Sequence, residues 1–287
     1  MKANSMSICV PSIKGEDFFC NKNCPYCVTK MTGMNPVNRE RFLKNFNKAK
    51  HIGELAQVTS IIITGKSEPL LDLKTVKHIC EIFSEFPIEI QTNGLLLNEE
   101  TITLLGMFGI DTIAISIDSY AQMEKLASII PFIKEKGMTL RYTINLTSNI
   151  LQKNPNSISY IEYTKEILSI VKNYGVDQVS FRDITIPNYA IDTEESRKTQ
   201  EWINLNIPKK WAGTFIASYE WLLQHEGVKV CELPFGAVVY MYDGMSCTYF
   251  GYCIQDSNKD NDIRSLIYYE DGHMATTWYG SNYGRVF

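Results

Sequence analysis

The sequence predicts an α/β protein: a partial (β/α)6 TIM-like barrel with a small C-terminal antiparallel β/α appendage. Three observations carry that expectation. Six short β-branched runs, at residues 7–10, 60–64, 88–92, 112–117, 140–146 and 178–184, alternate with helical stretches near 38–53, 73–86, 98–108, 120–136 and 157–174, the signature of repeated βα units on a parallel sheet. Most of the runs read as apolar on both faces, as strands covered by helices on each side would be. Gly53, Gly109, Gly137 and Gly175 stand where a helix needs a C-terminal stop before the next strand. Six units are fewer than the eight that close a barrel, so residues 1–187 are expected to form an open one.

After Pro187 the alternation ends. A polar stretch at 188–197, helical segments near 194–206 and 208–225, and aromatic β-like runs with Asp243-Gly244 and Asp271-Gly272 as turn signals follow. Residues 188–287 are therefore expected to form a second unit, a helical and β extension covering the substrate site.

Composition narrows the class. With 287 residues, 45 % hydrophobic and 21 % charged, the chain can bury a core without covalent staples, and disordered or low-complexity classes are disfavoured. A net charge of -4 from 28 basic and 32 acidic residues gives no support to a nucleic-acid partner. No apolar segment resembles a signal peptide or is long enough to span a membrane. The expected location is the cytoplasm, where eight cysteines point to metal or redox chemistry rather than disulfides.

Cys20, Cys24 and Cys27 bring three thiols within eight residues, directly after the first strand, in a loop rich in Asn and Pro. Three thiolates there can converge on one point. An iron–sulfur cluster normally takes four cysteines, so three leave one iron open to a chelating ligand. A zinc site completed from elsewhere is the alternative; it would make the chain a non-catalytic, metal-stapled interaction module.

At these residues the sequence resembles the radical S-adenosylmethionine (SAM) superfamily, whose Cys-x3-Cys-x-aromatic-Cys hallmark is matched by Cys20, Cys24, Tyr26 and Cys27. The resemblance implies a four-iron four-sulfur (4Fe-4S) cluster whose unique iron is chelated by SAM. It further implies reductive cleavage of SAM to a 5'-deoxyadenosyl radical that abstracts hydrogen from a substrate, with a one-electron donor such as flavodoxin or ferredoxin. Tyr26 would lie near the adenine. Gly65, Ser67, Glu68 and Pro69 are similar to the family's Gly-Gly-Glu-Pro turn, which approaches the SAM amino group; the second glycine is missing, because Lys66 and Ser67 stand between Gly65 and Glu68.

Further candidates for the cofactor lie at the carboxyl ends of later strands: Asn93 after the third, Ser116 and Asp118 at the fourth, Asn145 on the fifth and Arg182 on the sixth. An ionised Asp118 suits ribose hydroxyls, being acceptor-only, and equally suits the cap of the helix at Tyr120. Arg182 suits the SAM carboxylate, a substrate anion or a salt bridge.

In the tail, Cys231, Cys247 and Cys253 follow a pattern similar to the SPASM or twitch extensions, where an Asp-Gly turn precedes a cysteine of an auxiliary cluster. Three such thiols would hold an incompletely ligated second iron–sulfur cluster; buried singletons are the other reading. The expected substrate is a small molecule or nucleotide, with a peptide as the alternative, because the nineteen residues ahead of Cys20 are expected to leave no room for a leader-binding domain. A cluster protein that only carries electrons is a further alternative and predicts no SAM cleavage.

Overall fold

A computed structural model describes residues 2–11, 13–14, 17–18, 20–151, 159–233, 237–249, 263–280 and 282–287. Its strands in chain order are β1 (Ala3–Cys9), β2 (Ile13–Lys14), β3 (Asp17–Phe18), β4 (Ile61–Thr64), β5 (Ile88–Thr92), β6 (Thr112–Ile117), β7 (Thr139–Asn145), β8 (Gln178–Arg182), β9 (Val228–Glu232), β10 (Val238–Tyr242), β11 (Met245–Tyr249), β12 (Ile263–Tyr268) and β13 (Met274–Ala275). All but the β2–β3 pair join one sheet, ordered β13-β12-β1-β4-β5-β6-β7-β8-β11-β10-β9.

The six expected strands are present, in chain order and mutually parallel from β1 through β8. The tail differs from expectation. It is antiparallel within β9–β10–β11 and β12–β13, yet β11 pairs parallel with β8 and β12 parallel with β1. The appendage thus adds one parallel strand to each edge of the six, and the parallel series grows to eight without closing. An unpaired edge presents a row of backbone donors and acceptors, and the tail strands satisfy both rows.

The register shows the two faces of the sheet to be chemically opposite. Met6, Ile8, Ile61, Ile63, Ile90, Ile115, Tyr142, Ile144, Val179, Phe181, Leu266 and Tyr268 share one face and are buried in the main core under the helices. The residues between them share the other, mostly polar face: Ser5, Ser7, Thr64, Glu89, Gln91, Ser116, Arg141, Thr143, Gln178, Ser180 and Ser265, with Cys9, Ile62, Ala114 and Ile267 among them. The expectation of strands apolar on both faces is thereby corrected: helices cover one face, and the inner face is a polar surface. There Ser265 meets Ser5 and Ser7 at 3.1 and 3.0 Å, Gln91 links Thr64 to Glu89, and Arg141 joins Glu89 to Gln178.

Helix boundaries follow local chemistry. Asn98, Ser119, Ser159 and Thr193 each accept a backbone N–H as N-caps. The expected helix at 38–53 breaks at Asn45 into Arg39–Lys44 and Phe46–Leu55. The expected helix at 120–136 is interrupted by a 3-10 turn at Ala127–Ile129 and restarts at Ile130 with a proline in its first turn, where the missing N–H costs nothing. Gly109, Gly137 and Gly175 take the left-handed conformation expected of helix stops. Gly53 does not: it is buried inside Phe46–Leu55, and a Cβ there would stand 2.5 Å from Met6 Cε. It lets that helix approach β1.

Two tail helices are braced against the barrel. Lys209–Glu226 lies on the apolar side, where Phe215 and Tyr219 meet Phe181 edge-on at 4.9 and 4.8 Å. Glu194–Asn206 packs Ile203 against Met31 of the short helix Val28–Thr32, with Tyr26 and Trp202 alongside.

Candidate functional site

The cysteine loop lies between β3 and the helix Val28–Thr32. Cys20 is exposed, Cys24 and Cys27 are half-buried, and none is in a disulfide. Cys27 occupies the N-cap of that helix, and its N–H donates to Cys24 O at 3.3 Å. Burial raises the Cys20 thiol and pushes that of Cys24 up to about 11, and in each case neighbouring thiols of the triplet add to the effect. Thiolates so placed repel one another and are relieved by a shared cation. Among the described residues, no three His, Cys, Asp or Glu side chains close on one point as ligands of a single ion.

Three strand ends meet this loop. From the end of β5, Asn93 Nδ2 donates to Asn21 Oδ1 at 2.7 Å and lies 3.9 Å from Cys20 Sγ. From the end of β6, Asp118 Oδ2 accepts the Tyr26 hydroxyl at 2.9 Å and pairs with Lys22 at 2.9 Å. Burial, and then the Asp118 charge, hold the Tyr26 phenol protonated far above its ordinary range. Asp118 is not the helix cap, since Ser119 fills that role. Gln122 ties the two ends together: its Oε1 accepts Asp118 N–H, and its Nε2 donates to the carbonyls of Asn93 and Ser116.

The third end is the loop after β4. Glu68 is almost fully buried, with Oε1 accepting from Thr92 Oγ1 at 2.7 Å and from Leu70 N at 3.2 Å, and Oε2 accepting Asn93 N–H at 2.8 Å. It clamps its own loop to the end of β5. Ser67 Oγ is buried with no hydrogen-bond partner. Gly65 faces the β1 end, where a Cβ would lie 3.2 Å from Val10 O. An orphaned hydroxyl beside three soft thiols is a donor set whose chemistry suits a cluster and its chelating ligand.

Other candidates stand apart from this centre. Asn145 and Arg182 end β7 and β8 as a register pair, further along the same carboxyl rim, with Thr147 linking that side to the Asp118 carbonyl at 2.8 Å. Of the tail cysteines, the two described ones, Cys231 and Cys247, do not lie together. Cys247 is fully buried on the helix-covered face, and Cys231 is exposed on β9. Their register partners on β10 are the neighbours Tyr240 and Val239, which places the two thiols on opposite faces of the sheet. Cys253 lies outside the described residues. Lys22 and Gln122 touch the site without having been singled out from sequence; Trp202, whose helical spacing with Trp211 and Trp221 reads as core or cap, has its ring centroid 5.9 Å from that of Tyr26.

Residues 18–198 match the family model for the Radical SAM superfamily. The chain is 32 % identical over 162 residues to a probable dual-specificity RNA methyltransferase RlmN of Chlorobium phaeobacteroides, covering 50 % of this chain and 41 % of that protein. It is 35 % identical over 105 residues to an uncharacterized protein of Methanocaldococcus jannaschii, covering 36 % and 32 %. The chain thus spans less than half the length of these relatives. Among solved structures, Streptococcus suis SuiB bound to S-adenosylmethionine matches with a TM-score of 0.53 at 12 % identity, over 95 % of this chain and 60 % of SuiB. SuiB bound to precursor peptide SuiA matches with the same TM-score at 14 % identity, over 97 % and 60 %. At these identities the likeness is one of fold, an open and mostly parallel barrel.

Proposed function

The chain belongs to the radical SAM superfamily, and on that premise we propose that it is an enzyme holding a 4Fe-4S cluster on Cys20, Cys24 and Cys27 and SAM across the ends of β4, β5 and β6. Its substrate is a polar small molecule or nucleotide received by the inner face of the sheet. The observation that carries this reading is the meeting of the β5 and β6 ends with one loop of free thiols, through Asn93 and Asp118, with the 65–68 loop clamped onto Asn93 by Glu68. When bound, the cluster and SAM supply a reductively generated 5'-deoxyadenosyl radical that takes hydrogen from the substrate.

The chain's own residues bind and orient. Ser67 offers its unpartnered hydroxyl, and Gly65 lets this loop pack closely against the end of β1. Asp118, steadied through Oδ2 by Tyr26 and Lys22, presents Oδ1 to ribose hydroxyls. Asn145 and Arg182, on the far side of the rim, are assigned to the carboxylate of SAM or to a substrate anion. The serine, threonine and glutamine side chains of the inner face suit a ligand rich in hydrogen-bonding groups, which an apolar barrel interior would reject. The electron comes from a small donor such as flavodoxin or ferredoxin.

The test is 5'-deoxyadenosine release from SAM with a strong reductant, under anaerobic conditions, by reconstituted wild type and Cys24→Ala. Release by the wild type alone, with iron bound, supports the reading. Silence from both proteins in a preparation that binds zinc in place of iron overturns it in favour of a metal-stapled module, and a stable reduced cluster without SAM cleavage overturns it in favour of an electron carrier.

A further inference from the structure

The turn between β12 and β13 carries a cluster of charged side chains that the cysteine loop does not use. Asp271, nearly buried, holds His273 twice: Oδ1 accepts the His273 backbone N–H at 3.1 Å, and Oδ2 meets Nδ1 at 2.9 Å. An ionised carboxylate only accepts, so Nδ1 carries the ring proton and Nε2 presents its single lone pair. Two guanidiniums come onto that nitrogen. Arg41 Nη1 donates to it at 3.0 Å, and Arg285 Nη2 donates to it as well.

One lone pair does not satisfy two such donors. Two nitrogens bonded to the same atom lie within about 6 Å of each other, where their like charges repel. Among the described residues, His273 Nε2 is the only side-chain partner of either guanidinium, and neither forms an ion pair. Both arginines are exposed, so a relieving anion has access to them from solvent.

The three side chains stand on segments fixed against one another. Arg41 lies in the helix Arg39–Lys44, on which the turn is docked. Asn38 N–H donates to the Glu270 carbonyl at 3.2 Å, Asn45 Nδ2 to the Gly272 carbonyl at 2.8 Å, and Tyr268 OH to the Phe42 carbonyl at 2.6 Å. Gly272, with φ +75°, comes so close that a Cβ would stand 2.6 Å from the Arg41 carbonyl carbon. Arg285 is held by an antiparallel bridge to Ala275 of β13, and Val286 N–H donates to the Met274 carbonyl at 2.7 Å. Because β12 runs parallel to β1, the turn after it lies at the carboxyl rim of the sheet.

We propose that Arg41 and Arg285, gathered by His273, form a binding site for a phosphate group at this rim, using no residue of the cysteine loop. Charge and geometry select the ligand. Each guanidinium presents a planar fork that pairs with two oxygens. Two forks from different segments ask for an oxyanion with at least three oxygens and more than one charge. A carboxylate fills one fork and leaves the other, whereas phosphate or a phosphate monoester fills both. On its entry the arginines turn N–H groups from Nε2 to the phosphate oxygens, while Asp271 keeps the imidazole in place behind them.

The experiment uses the anaerobically reconstituted full chain with neither SAM nor reductant, so its answer does not depend on the proposed function. Tm is read at pH 7.5 and constant ionic strength, set with potassium chloride, as inorganic phosphate, methyl phosphate or acetate is raised, and Kd is measured by isothermal titration calorimetry. Wild type is expected to be stabilised by the two phosphates and not by acetate. Arg41→Gln and Arg285→Gln are each expected to weaken phosphate binding by about tenfold or more, and the paired Arg41→Lys, Arg285→Lys variant, which keeps both charges and loses both forks, is expected to weaken it as well. Tighter binding of methyl phosphate identifies a phosphorylated small molecule as the ligand, and tighter binding of inorganic phosphate the free ion; both support the site. No phosphate response in wild type, an equal response to acetate, or a wild-type Kd in both Gln variants overturns the proposal. If the Gln variants lose stability, the paired Lys variant decides: weaker binding at a wild-type Tm supports the site, and a wild-type Kd overturns it.

Discussion

At the residue scale, the charges of the site obey burial before they obey pairing. Glu270 is the clearest case: burial raises its carboxyl from the ordinary 4.5 to about 7, although Lys66 and nearby amides pull the other way. An acid whose folded pKa is raised binds more protons in the native than in the unfolded state, so its contribution favours folding below about pH 4.5 and is lost as pH rises to about 7. The full loss corresponds to roughly 3 kcal/mol. Denaturant titrations from pH 4.5 to 8 should therefore show wild-type stability falling relative to Glu270→Gln across that window, with parallel curves above it; parallel curves throughout would contradict the burial argument. The three thiols of the cysteine loop and Tyr26 were legible in the sequence because their spacing is itself the signal. Glu270 was not, since a single glutamate beside a turn-forming Asp-Gly pair carries no pattern, and only packing reveals that water cannot reach it.

At the element scale, identical backbone conformations are held by different constraints. Gly109 and Gly272 both have positive φ, 84° and 75°. A Cβ at Gly109 meets nothing within 4 Å, whereas at Gly272 it meets the backbone of Arg41 and Phe42. Gly109→Ala should cost about 1 kcal/mol, the left-handed penalty alone. Gly272→Ala should cost at least twice that, since the turn must lift off the helix Arg39–Lys44; equal Tm shifts in the two variants would refute the close approach. Strand positions were readable from their β-branched runs. Their two-sidedness was misread, because Thr and Ser satisfy a β-propensity reading while making a polar surface. Ile61, Ile63, Ile88 and Ile90 face the helices, and the Glu89 and Gln91 between them already mark the other face as wet.

At the scale of the whole molecule, the tail completes the sheet. β12 covers the outer edge of β1, and β11 covers that of β8. Residues 1–187 expressed alone should therefore expose two strand edges, together with Phe181 and Val179 where Lys209–Glu226 now packs. The expected outcome is aggregation or loss of a cooperative thermal transition, checked by sedimentation and circular dichroism; a monomeric, cooperatively folded 1–187 fragment would show the barrel to be independent of its tail.

The sequence by itself determined the local features of this protein: six strands and their helices, most helix stops, and three thiols at the spacing of the radical SAM hallmark. These depend on neighbours in the chain, where propensity, periodicity and spacing act directly. Only the tertiary structure decided which face of each strand is wet, that two tail strands run parallel to the barrel, that Cys231 and Cys247 lie on opposite faces, and that Glu270 is fully buried. Those outcomes depend on edges that must be paired and side chains that must be buried. Each is settled by which distant segment arrives, and local sequence does not encode that arrival.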